Sequence, residues 1–256
     1  HGIMTEASLE AASSSRDVVI TMLPSGKETL QVYADSGALS SADPGTVFSD
    51  CSTIDVASAR KAHELAATAG QKSLDSPVSG GVAGAEAGTL TLMAGGSREA
   101  FDTAEPILKG VGKKVVHCGE EGAGQATKIC NNMILGISMI GVSEAFVLAE
   151  KLGLSHQALF DVASTSSGQC WSLTSYCPVP NMVESSPANN EYKPGFAAAL
   201  MLKDLKLSQQ AAATTGAATA LGAHACDIYE KFAKEGHAGA DFSGVINFVR
   251  ALSERA

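Results

Sequence analysis

The pattern of apolar segments changes once along this chain, and no other feature of the sequence constrains the fold as strongly. Up to residue 118, short apolar runs alternate with helical segments, and these runs occupy residues 17–23, 46–50, 73–78, 89–93 and 114–118. Short strands that alternate with helices are typical of β-α-β units in a parallel sheet. From Gly124 onward we find no convincing strand, and helical segments follow one another. The sequence therefore predicts an α/β domain over residues 1–121 and an all-helical domain over residues 122–256.

Helix start and stop residues give the extent of each predicted helix. In the α/β domain the helices lie at residues 27–33, 54–69 and 98–108, after a polar helix-like piece at residues 5–12. In the second domain they lie at residues 125–152, 155–163, 196–215, 217–235 and 242–252, with a proline-containing, loop-rich stretch at residues 164–195. The helix at 125–152 is apolar on nearly all sides in its middle, so we expect other helices or a partner subunit to bury it.

An α/β domain followed by a helical domain is typical of dinucleotide-binding enzymes, but the glycine fingerprint of such enzymes is missing. No G-x-G-x-x-G occurs in the 256 residues, and the nearest similar run, Gly80 to Gly84, has the wrong spacing. A complete mononucleotide-binding half needs one more β-α-β unit, about 30 residues, before the strand at Asp17. We therefore expect a Rossmann-type domain whose first β-α-β unit is absent from this sequence. The alternative is a domain that never had this unit.

Composition argues against several classes of partner. The formal net charge is −9 and no run of Lys and Arg occurs, so we expect no nucleic-acid partner. The longest apolar stretch, residues 133–143, is shorter than a membrane span, so we expect a buried helix and no membrane anchor. The six cysteines are scattered without a C-x-x-C pair or a histidine cluster, so we expect neither a disulfide framework nor a bound metal.

Two segments carry residues that suit an active site. The first ends in Ser79-Gly80-Gly81, which offers a hydroxyl and consecutive backbone N–H groups in a glycine-rich turn suited to a small carboxylate. The second, residues 122–132, places Lys128 and Asn132 one helical turn apart on one face of a helix. An amine that can move a proton would then stand beside an amide that can fix a substrate.

Five motifs resemble those of the β-hydroxyacid dehydrogenases, in a resemblance that runs from about Asp17 to Phe248. They are Met22–Ser25, Asp50–Asp55, Asp75–Gly81, Gly124–Asn132 and Leu202–Leu205. These five fit several sister enzymes, including reductases of tartronate semialdehyde, glyoxylate and succinic semialdehyde. Two further stretches, Ser166–Ser172 and Tyr176–Pro180, resemble the 3-hydroxyisobutyrate dehydrogenases in particular. The resemblance implies oxidation of 3-hydroxyisobutyrate to methylmalonate semialdehyde, a step of valine breakdown.

The resemblance also implies roles for individual residues. Lys128 would handle the proton of the substrate hydroxyl, Asn132 would bind the substrate, and Ser79-Gly80-Gly81 would bind its carboxylate. The resemblance implies NAD as the cofactor, with NADP as the alternative. The residues expected to contact the cofactor are Leu23, Pro24, Thr53 and Lys203, with Asp204 helping to order the site. We expect Cys51 and Ser52 to serve in packing, and Asn131 to be a buried residue bound to the backbone. A free lysine has a pKa of about 10.4, so proton transfer by Lys128 requires burial or a nearby cation to lower that pKa.

Three residues bear on specificity and cofactor binding. Trp171 and Phe196 are candidates for the wall of a small apolar pocket that suits a methyl-bearing acid, with packing in the core as the alternative. Glu28 departs from the family, in which many members carry a residue at this position, often Asn, that helps to hold the cofactor. Together with the missing glycine fingerprint, this departure gives a further alternative. In this alternative, the chain as given is inactive, whereas its full-length parent is active.

The resemblance leaves two other functions open. One is a reductase of another short semialdehyde, against which Trp171 and its flanking loop weigh. The other is a non-catalytic binding or scaffold protein of the same fold, which would be expected to lose the catalytic amine, whereas Lys128 is present. The expected partners are a small hydroxyacid substrate and further copies of the chain, in a homodimer or homotetramer. The expected compartment is the mitochondrial matrix for a eukaryotic source and the cytoplasm for a bacterial one.

Overall fold

The chain forms two compact units, His1–Lys128 and Ile129–Ala256, in a computed structural model that describes residues 4–255. The first unit is α/β and the second is helical, which confirms the predicted fold class. The division between the units falls inside a long helix. The boundary predicted from the sequence, between residues 121 and 122, lies a short way before it and stays a prediction.

The sheet of the first unit has six strands within the described residues. They are β1 (Val18–Thr21), β2 (Val47–Asp50), β3 (Lys72–Asp75), β4 (Val78–Ser79), β5 (Leu90–Gly95) and β6 (Gly112–Gly119). Strands β1, β2 and β3 are parallel neighbours in that order, and β5 follows β3 in the sheet. The carboxyl ends of β1, β2 and β3 therefore lie side by side at one edge of the sheet.

Strands β1 to β3 are parallel as expected, but β5 departs from this pattern and runs antiparallel to both β3 and β4. The single strand predicted at residues 73–78 is broken at Ser76-Pro77 into β3 and β4. The connection from β4 to β5 is short, whereas a parallel crossover needs about a dozen residues or more. Strand β6 pairs parallel with the other edge of β5.

Helices cover both faces of this sheet. The first unit contains α1 (Leu9–Ser13), α2 (Gly26–Asp35), α3 (Ala38–Ser41), α4 (Val56–Thr68), α5 (Gly81–Glu86) and α6 (Arg98–Leu108). Neighbouring residues of β2 point to opposite faces, with Val47 packing in the cluster of α6 and Phe48 in the cluster of α2, α3 and α4. The sheet is thus the middle layer of three, as is usual for α/β domains.

The second unit is built from helices alone within the described residues. It contains most of α7 (Ala123–Lys151), then α8 (His156–Ala163), α9 (Trp171–Thr174), α10 (Ala198–Thr215), α11 (Ala220–Phe232) and α12 (Val245–Arg255). Met139 and Ile140 of α7 are buried against α10, α11 and α12, and Phe146 and Val147 of the same helix are buried against the α9 region. Each such side chain contributes about 1.5–3 kcal/mol of burial energy.

Three features of the second unit differ from the sequence-based expectation. The loop-rich stretch at residues 164–195 contains α9 and a 3-10 turn at Pro187–Asn190. The helix predicted over residues 217–235 is shorter, because Gly216 ends α10 in the left-handed conformation and a wide turn with Gly236 at φ 98° follows α11. The length argument against a membrane span was also wrong, because the apolar stretch belongs to the 29-residue helix α7.

Helix α7 is long and apolar enough to cross a membrane by length and composition alone, with a mean hydropathy of 1.7 over its most apolar window. The core helix of a soluble protein passes the same test, and 44% of this window is buried inside the protein. The first turns of α7 also carry buried polar side chains, namely those of Gln125, Lys128 and Asn132.

Candidate active site

The turn Ser79-Gly80-Gly81 joins β4, which ends at Ser79, to α5, which begins at Gly81. Gly80 has φ +136° and Gly81 has φ +63°, values that residues other than glycine rarely adopt. A Cβ on Gly80 would also lie 3.0 Å from the Cδ2 atom of Leu90. The two glycines therefore let the chain turn sharply, and the first N–H groups of α5, which have no partner inside the helix, follow directly after Ser79.

The side chain of Lys128 lies at this turn. Lys128 is only 6% exposed, and its Nζ atom donates a hydrogen bond of 2.8 Å to the carbonyl oxygen of Val78. Val78 directly precedes Ser79 in the chain. The structure thus brings together the two segments that the sequence singled out, and a buried amine stands beside a turn that is rich in hydroxyl and N–H donors.

The start of α7 is bound to the end of β3 by a residue that the sequence reasoning did not single out. The Asp75 carboxylate is 2% exposed and accepts hydrogen bonds from the backbone N–H groups of Gly122, at 2.8 Å, and Gln125, at 2.7 Å. It also bonds His63 Nε2 at 3.0 Å. The sequence signal for such a support is the start of α7, where Gly122, Ala123 and Gly124 carry no side-chain acceptor.

The candidate cofactor residues lie where β1 and β2 end. Leu23 and Pro24 follow β1, Thr53 follows β2, and all three are at least partly exposed. The Ser52 hydroxyl accepts a 2.7 Å hydrogen bond from the N–H of Leu23, which ties the two strand ends together. Ligands of open α/β sheets bind outside the carboxyl ends of such strands, so these residues fit part of a dinucleotide.

Gln125 supports the same strand ends from α7. Its fully buried side chain donates to the carbonyl oxygen of Ser52 at 2.7 Å and accepts from the N–H of Ile54 at 3.1 Å. These two bonds fall on either side of Thr53. Ser52, which we expected to serve in packing, and Gln125 are therefore residues of the candidate site that the sequence reasoning missed.

The side chains beneath the strand ends are structural. Asp50 accepts hydrogen bonds from Thr21 Oγ1 and Ser52 Oγ, and burial raises the pKa of its carboxyl despite them. Burial also raises the pKa of the Cys51 thiol to about 12. A thiol with that pKa is not a nucleophile at neutral pH, in agreement with the expectation that Cys51 serves in packing. Glu28 accepts a hydrogen bond from Ser25, the N-cap residue of α2.

In the second unit, Asn132 and Asp204 form a buried polar pair. Asn132 is 1% exposed, and its Nδ2 group donates a short hydrogen bond to the Asp204 carboxylate. Its Oδ1 atom accepts from Nδ2 of Asn131, which is exposed, so the expectation of a buried Asn131 bound to the backbone was wrong. Lys203 precedes Asp204 on α10 and is partly buried. Asp204 thus holds Asn132 in one orientation.

The predicted aromatic residues take part in a stack of the second unit. Trp171 stacks on Tyr176 with ring centroids 4.9 Å apart, and Tyr176 stacks on Phe242, which Phe196 meets edge-on. Tyr176 is fixed by a hydrogen bond to the buried carboxylate of Asp241. Trp171 remains 51% exposed, so it is not a core residue.

No group of three or more His, Cys, Asp or Glu side chains suited to a metal ion occurs in the part of the chain that the structure describes.

Comparison with known proteins places both units in one kind of enzyme. The family model for the NAD-binding domain of 6-phosphogluconate dehydrogenase matches residues 1–119. The model described as NAD-binding of NADP-dependent 3-hydroxyisobutyrate dehydrogenase matches residues 122–249. Both descriptions are of nicotinamide-dependent dehydrogenases.

Individual relatives agree with the family models. A Mycobacterium tuberculosis protein named "Probable 3-hydroxyisobutyrate dehydrogenase" is 52% identical over 254 residues, which are 99% of this chain and 85% of the relative. A Dictyostelium discoideum protein of that name, marked mitochondrial, is 45% identical over 91% of this chain and 73% of its own length. The NAD-dependent L-serine dehydrogenase of Pseudomonas aeruginosa is 43% identical over 94% and 84%.

A solved structure is also similar. It is the 3-hydroxyisobutyrate dehydrogenase of Mycobacterium tuberculosis with L-serine, which has a TM-score of 0.92 and 52% identity and covers 96% of this chain and 83% of its own.

Proposed function

This chain belongs to the 3-hydroxyisobutyrate dehydrogenase family of NAD(P)-dependent hydroxyacid dehydrogenases, and we propose that its substrate is 3-hydroxyisobutyrate itself. The product is then methylmalonate semialdehyde, as in valine breakdown. The observation that carries this proposal is the hydrogen bond from Lys128 to the carbonyl oxygen of Val78. It holds a buried amine directly beside the turn that is suited to a carboxylate.

The residues of the turn and of α7 have different roles toward the substrate. Ser79-Gly80-Gly81 binds the carboxylate through the hydroxyl and backbone N–H groups. Lys128 takes the proton from the substrate hydroxyl during oxidation and returns it during reduction. Asn132, one turn further along α7, donates an amide N–H to the substrate, and its hydrogen bond to Asp204 fixes the orientation of that amide.

The residues that would hold the dinucleotide are Leu23, Pro24, Thr53 and Lys203. Held there, NAD or NADP would supply the acceptor for the hydride that leaves the carbon bearing the substrate hydroxyl. The hydrogen bonds of Ser52 and Gln125 keep the backbone around Leu23 and Thr53 in place for this contact.

L-serine is the second candidate substrate, because one relative is named L-serine dehydrogenase and a similar structure is described with L-serine. The two acids share a carboxylate and a hydroxymethyl group on the same carbon. They differ in the third substituent of that carbon, which is a methyl group in 3-hydroxyisobutyrate and an ammonium group in L-serine. Trp171, which is half-exposed, and Phe196, which belongs to the same aromatic stack, are the side chains that would favour the methyl group.

Specificity constants of the full-length protein test this proposal. We expect kcat/KM for 3-hydroxyisobutyrate to exceed that for 3-hydroxypropionate, which lacks the methyl group, by about 10-fold or more, because one buried methyl is worth that much in an apolar pocket. The panel also includes L-serine, glycerate, glycolate and 4-hydroxybutyrate, each with NAD⁺ and with NADP⁺. A larger kcat/KM for L-serine than for 3-hydroxyisobutyrate would show that L-serine is the substrate. If the protein binds the cofactor but oxidises none of the acids, the enzyme function is refuted and the scaffold function is favoured.

We propose further that the protein is a homodimer or homotetramer that buries one face of α7. Ile134 and Leu148 are 66% and 59% exposed in the single chain and lie 14 residues apart, about four turns, so they share one face of α7. Leu152, which directly follows α7, is 74% exposed. Light scattering should give at least twice the mass of the chain. Leu148→Asp should shift the mass towards the monomer, whereas Val162→Asp, at an exposed apolar residue of α8, should not. An unchanged mass in Leu148→Asp would place the interface elsewhere.

The compartment follows from the source of the protein. We propose the mitochondrial matrix if the source is eukaryotic, as the name of the Dictyostelium relative supports, and the cytoplasm if it is bacterial.

A further inference from the structure

The first turn of α7 has no side chain of its own that can cap it. Its leading residues are Gly122, Ala123 and Gly124, which carry no side-chain acceptor atom. The first N–H groups of a helix have no partner inside the helix and are usually satisfied by a Ser, Thr, Asn or Asp at the start. In α7 the acceptor comes from β3 instead, since the two oxygens of Asp75 bind the N–H groups of Gly122 and Gln125. A carboxylate there also favours the positive end of the helix dipole.

The Asp75 carboxylate is itself held in place by two further side chains. His63 Nε2 lies 3.0 Å from Asp75 Oδ1, and the other ring nitrogen of His63 lies 2.6 Å from Ser73 Oγ. A neutral imidazole with its proton on Nε2 satisfies both contacts, donating to Asp75 and accepting from Ser73; this tautomer is assigned from the hydrogen bonds. Asp75 therefore receives three N–H donors and has little freedom to rotate.

Asp75 and Val78 bind α7 at two points from one short segment. Asp75 binds the first turn of the helix, and Val78 accepts the hydrogen bond of Lys128 one to two turns later. The segment between them leads directly into Ser79-Gly80-Gly81. The position of the amine relative to this turn is thus set by the helix start as well as by its own hydrogen bond.

We infer that Asp75, oriented by His63 and Ser73, is a positioning residue that fixes Lys128 at the distance from the Ser79-Gly80-Gly81 turn that proton transfer needs. This inference rests on the proposed function of Lys128. Loss of the carboxylate removes two hydrogen bonds and a charge from the start of α7, so the helix start moves away from β3. A displacement of the amine by about 1 Å can lower the rate about 100-fold without removing any group that touches the substrate.

The test compares Asp75→Asn with Ser97→Ala in the full-length protein. Ser97 caps α6 by accepting a hydrogen bond from the N–H of Ala100, so Ser97→Ala also removes a helix cap from the first unit but leaves α7 unchanged. We expect Asp75→Asn to lower kcat by about 10- to 100-fold, with the KM for the cofactor within about twofold of wild type. The solvent deuterium isotope effect on kcat should rise, because a misplaced amine makes proton transfer limiting. Ser97→Ala should change neither kcat nor the solvent isotope effect.

Amide hydrogen exchange measures the protection of the backbone amides at the start of α7, independently of enzyme activity. In Asp75→Asn one carboxylate oxygen is replaced by an NH2 group that cannot accept, so the amide of Gly122 or that of Gln125 should lose its protection, while those of α6 keep theirs. A folded Asp75→Asn protein with kcat within about twofold of wild type and an unchanged isotope effect would overturn the inference. If Asp75→Asn does not fold, His63→Leu decides: a lower kcat with a raised isotope effect supports the inference, and an unchanged isotope effect overturns it.

The same experiment separates this inference from the proposed function. A wild-type protein that oxidises no acid of the panel would refute the proposed function, and amide exchange alone would then decide whether Asp75 holds the start of α7. Retained protection of Gly122 and Gln125 in Asp75→Asn would refute that role as well.

Discussion

Replacing Lys128 by alanine is expected to lower kcat for 3-hydroxyisobutyrate by about 10³-fold, while the protein still folds and binds its cofactor. The reason is that the proposed mechanism gives this amine the proton of the substrate hydroxyl, and a positioned acid or base typically contributes about 10²- to 10⁴-fold. Lys128 is buried beside the carbonyl oxygen of Val78, so bulk water cannot readily take its place. Steady-state formation of reduced cofactor, with cofactor affinity measured separately by titration, gives the comparison.

Two controls separate proton transfer from substrate binding. Ser79→Ala should raise the KM for the acid by about 10-fold and leave kcat nearly unchanged, because it removes a carboxylate donor that binds substrate and transition state alike. An added primary amine such as methylamine should restore part of the kcat of Lys128→Ala but not change Ser79→Ala. A Lys128→Ala protein that keeps more than about a tenth of the wild-type kcat would exclude the proposed role of the amine.

The second large effect is expected at Gly124, where alanine should destabilise the protein by about 3 kcal/mol or more. A Cβ at this position would lie 2.2 Å from the carbonyl oxygen of Asp75 and 2.3 Å from that of Met93. Both neighbours are backbone atoms of the sheet, which can move only if the strands separate from the start of α7. Helix propensity alone predicts the opposite sign, a gain of about 1 kcal/mol. Urea unfolding midpoints, compared at equal m-values, give the difference.

Gly222→Ala in α11 is the matched control for this prediction. A Cβ there would lie 2.7 Å from Gln209 Nε2 and 2.7 Å from the sulfur of Met133. Both contacts are near the ends of flexible side chains, so we expect a change within about 1 kcal/mol. Equal losses for the two variants would show that the close approach of α7 to the strands does not require glycine.

Local signals predicted those parts of the fold that depend on neighbours in sequence. Asp55 was expected at the entry of a helix, and its side chain caps α4 by accepting from the N–H of Ser58. The change from alternating strands to helices near Gly124 was also correct, because apolar period and segment length are visible in the sequence itself. The break at Ser76-Pro77, and with it the antiparallel β5, depends on how distant strands pair, which local sequence patterns do not show.

The candidate site divides in the same way. The chemistry of Ser79 and Lys128 was sufficient to predict that their two segments meet, and the hydrogen bond of Lys128 to Val78 brings them together. The catalytic and binding roles of these residues remain predictions. The support from Asp75 could not be predicted, because its partners Gly122 and Gln125 lie 47 and 50 positions later in the chain. When the capping residue is so far away in the chain, the sequence shows only that the helix start has no capping side chain of its own.

The most direct test of the proposed function is the transfer of deuterium from substrate to cofactor. The full-length protein is incubated with 3-hydroxyisobutyrate that carries deuterium on the hydroxymethyl carbon, and the reduced nicotinamide is analysed by mass spectrometry. We predict one deuterium in each reduced nicotinamide, together with the semialdehyde as product. Formation of no reduced cofactor above the rate without acid, or reduced cofactor without deuterium, would contradict the assignment of this protein as a dehydrogenase of 3-hydroxyisobutyrate.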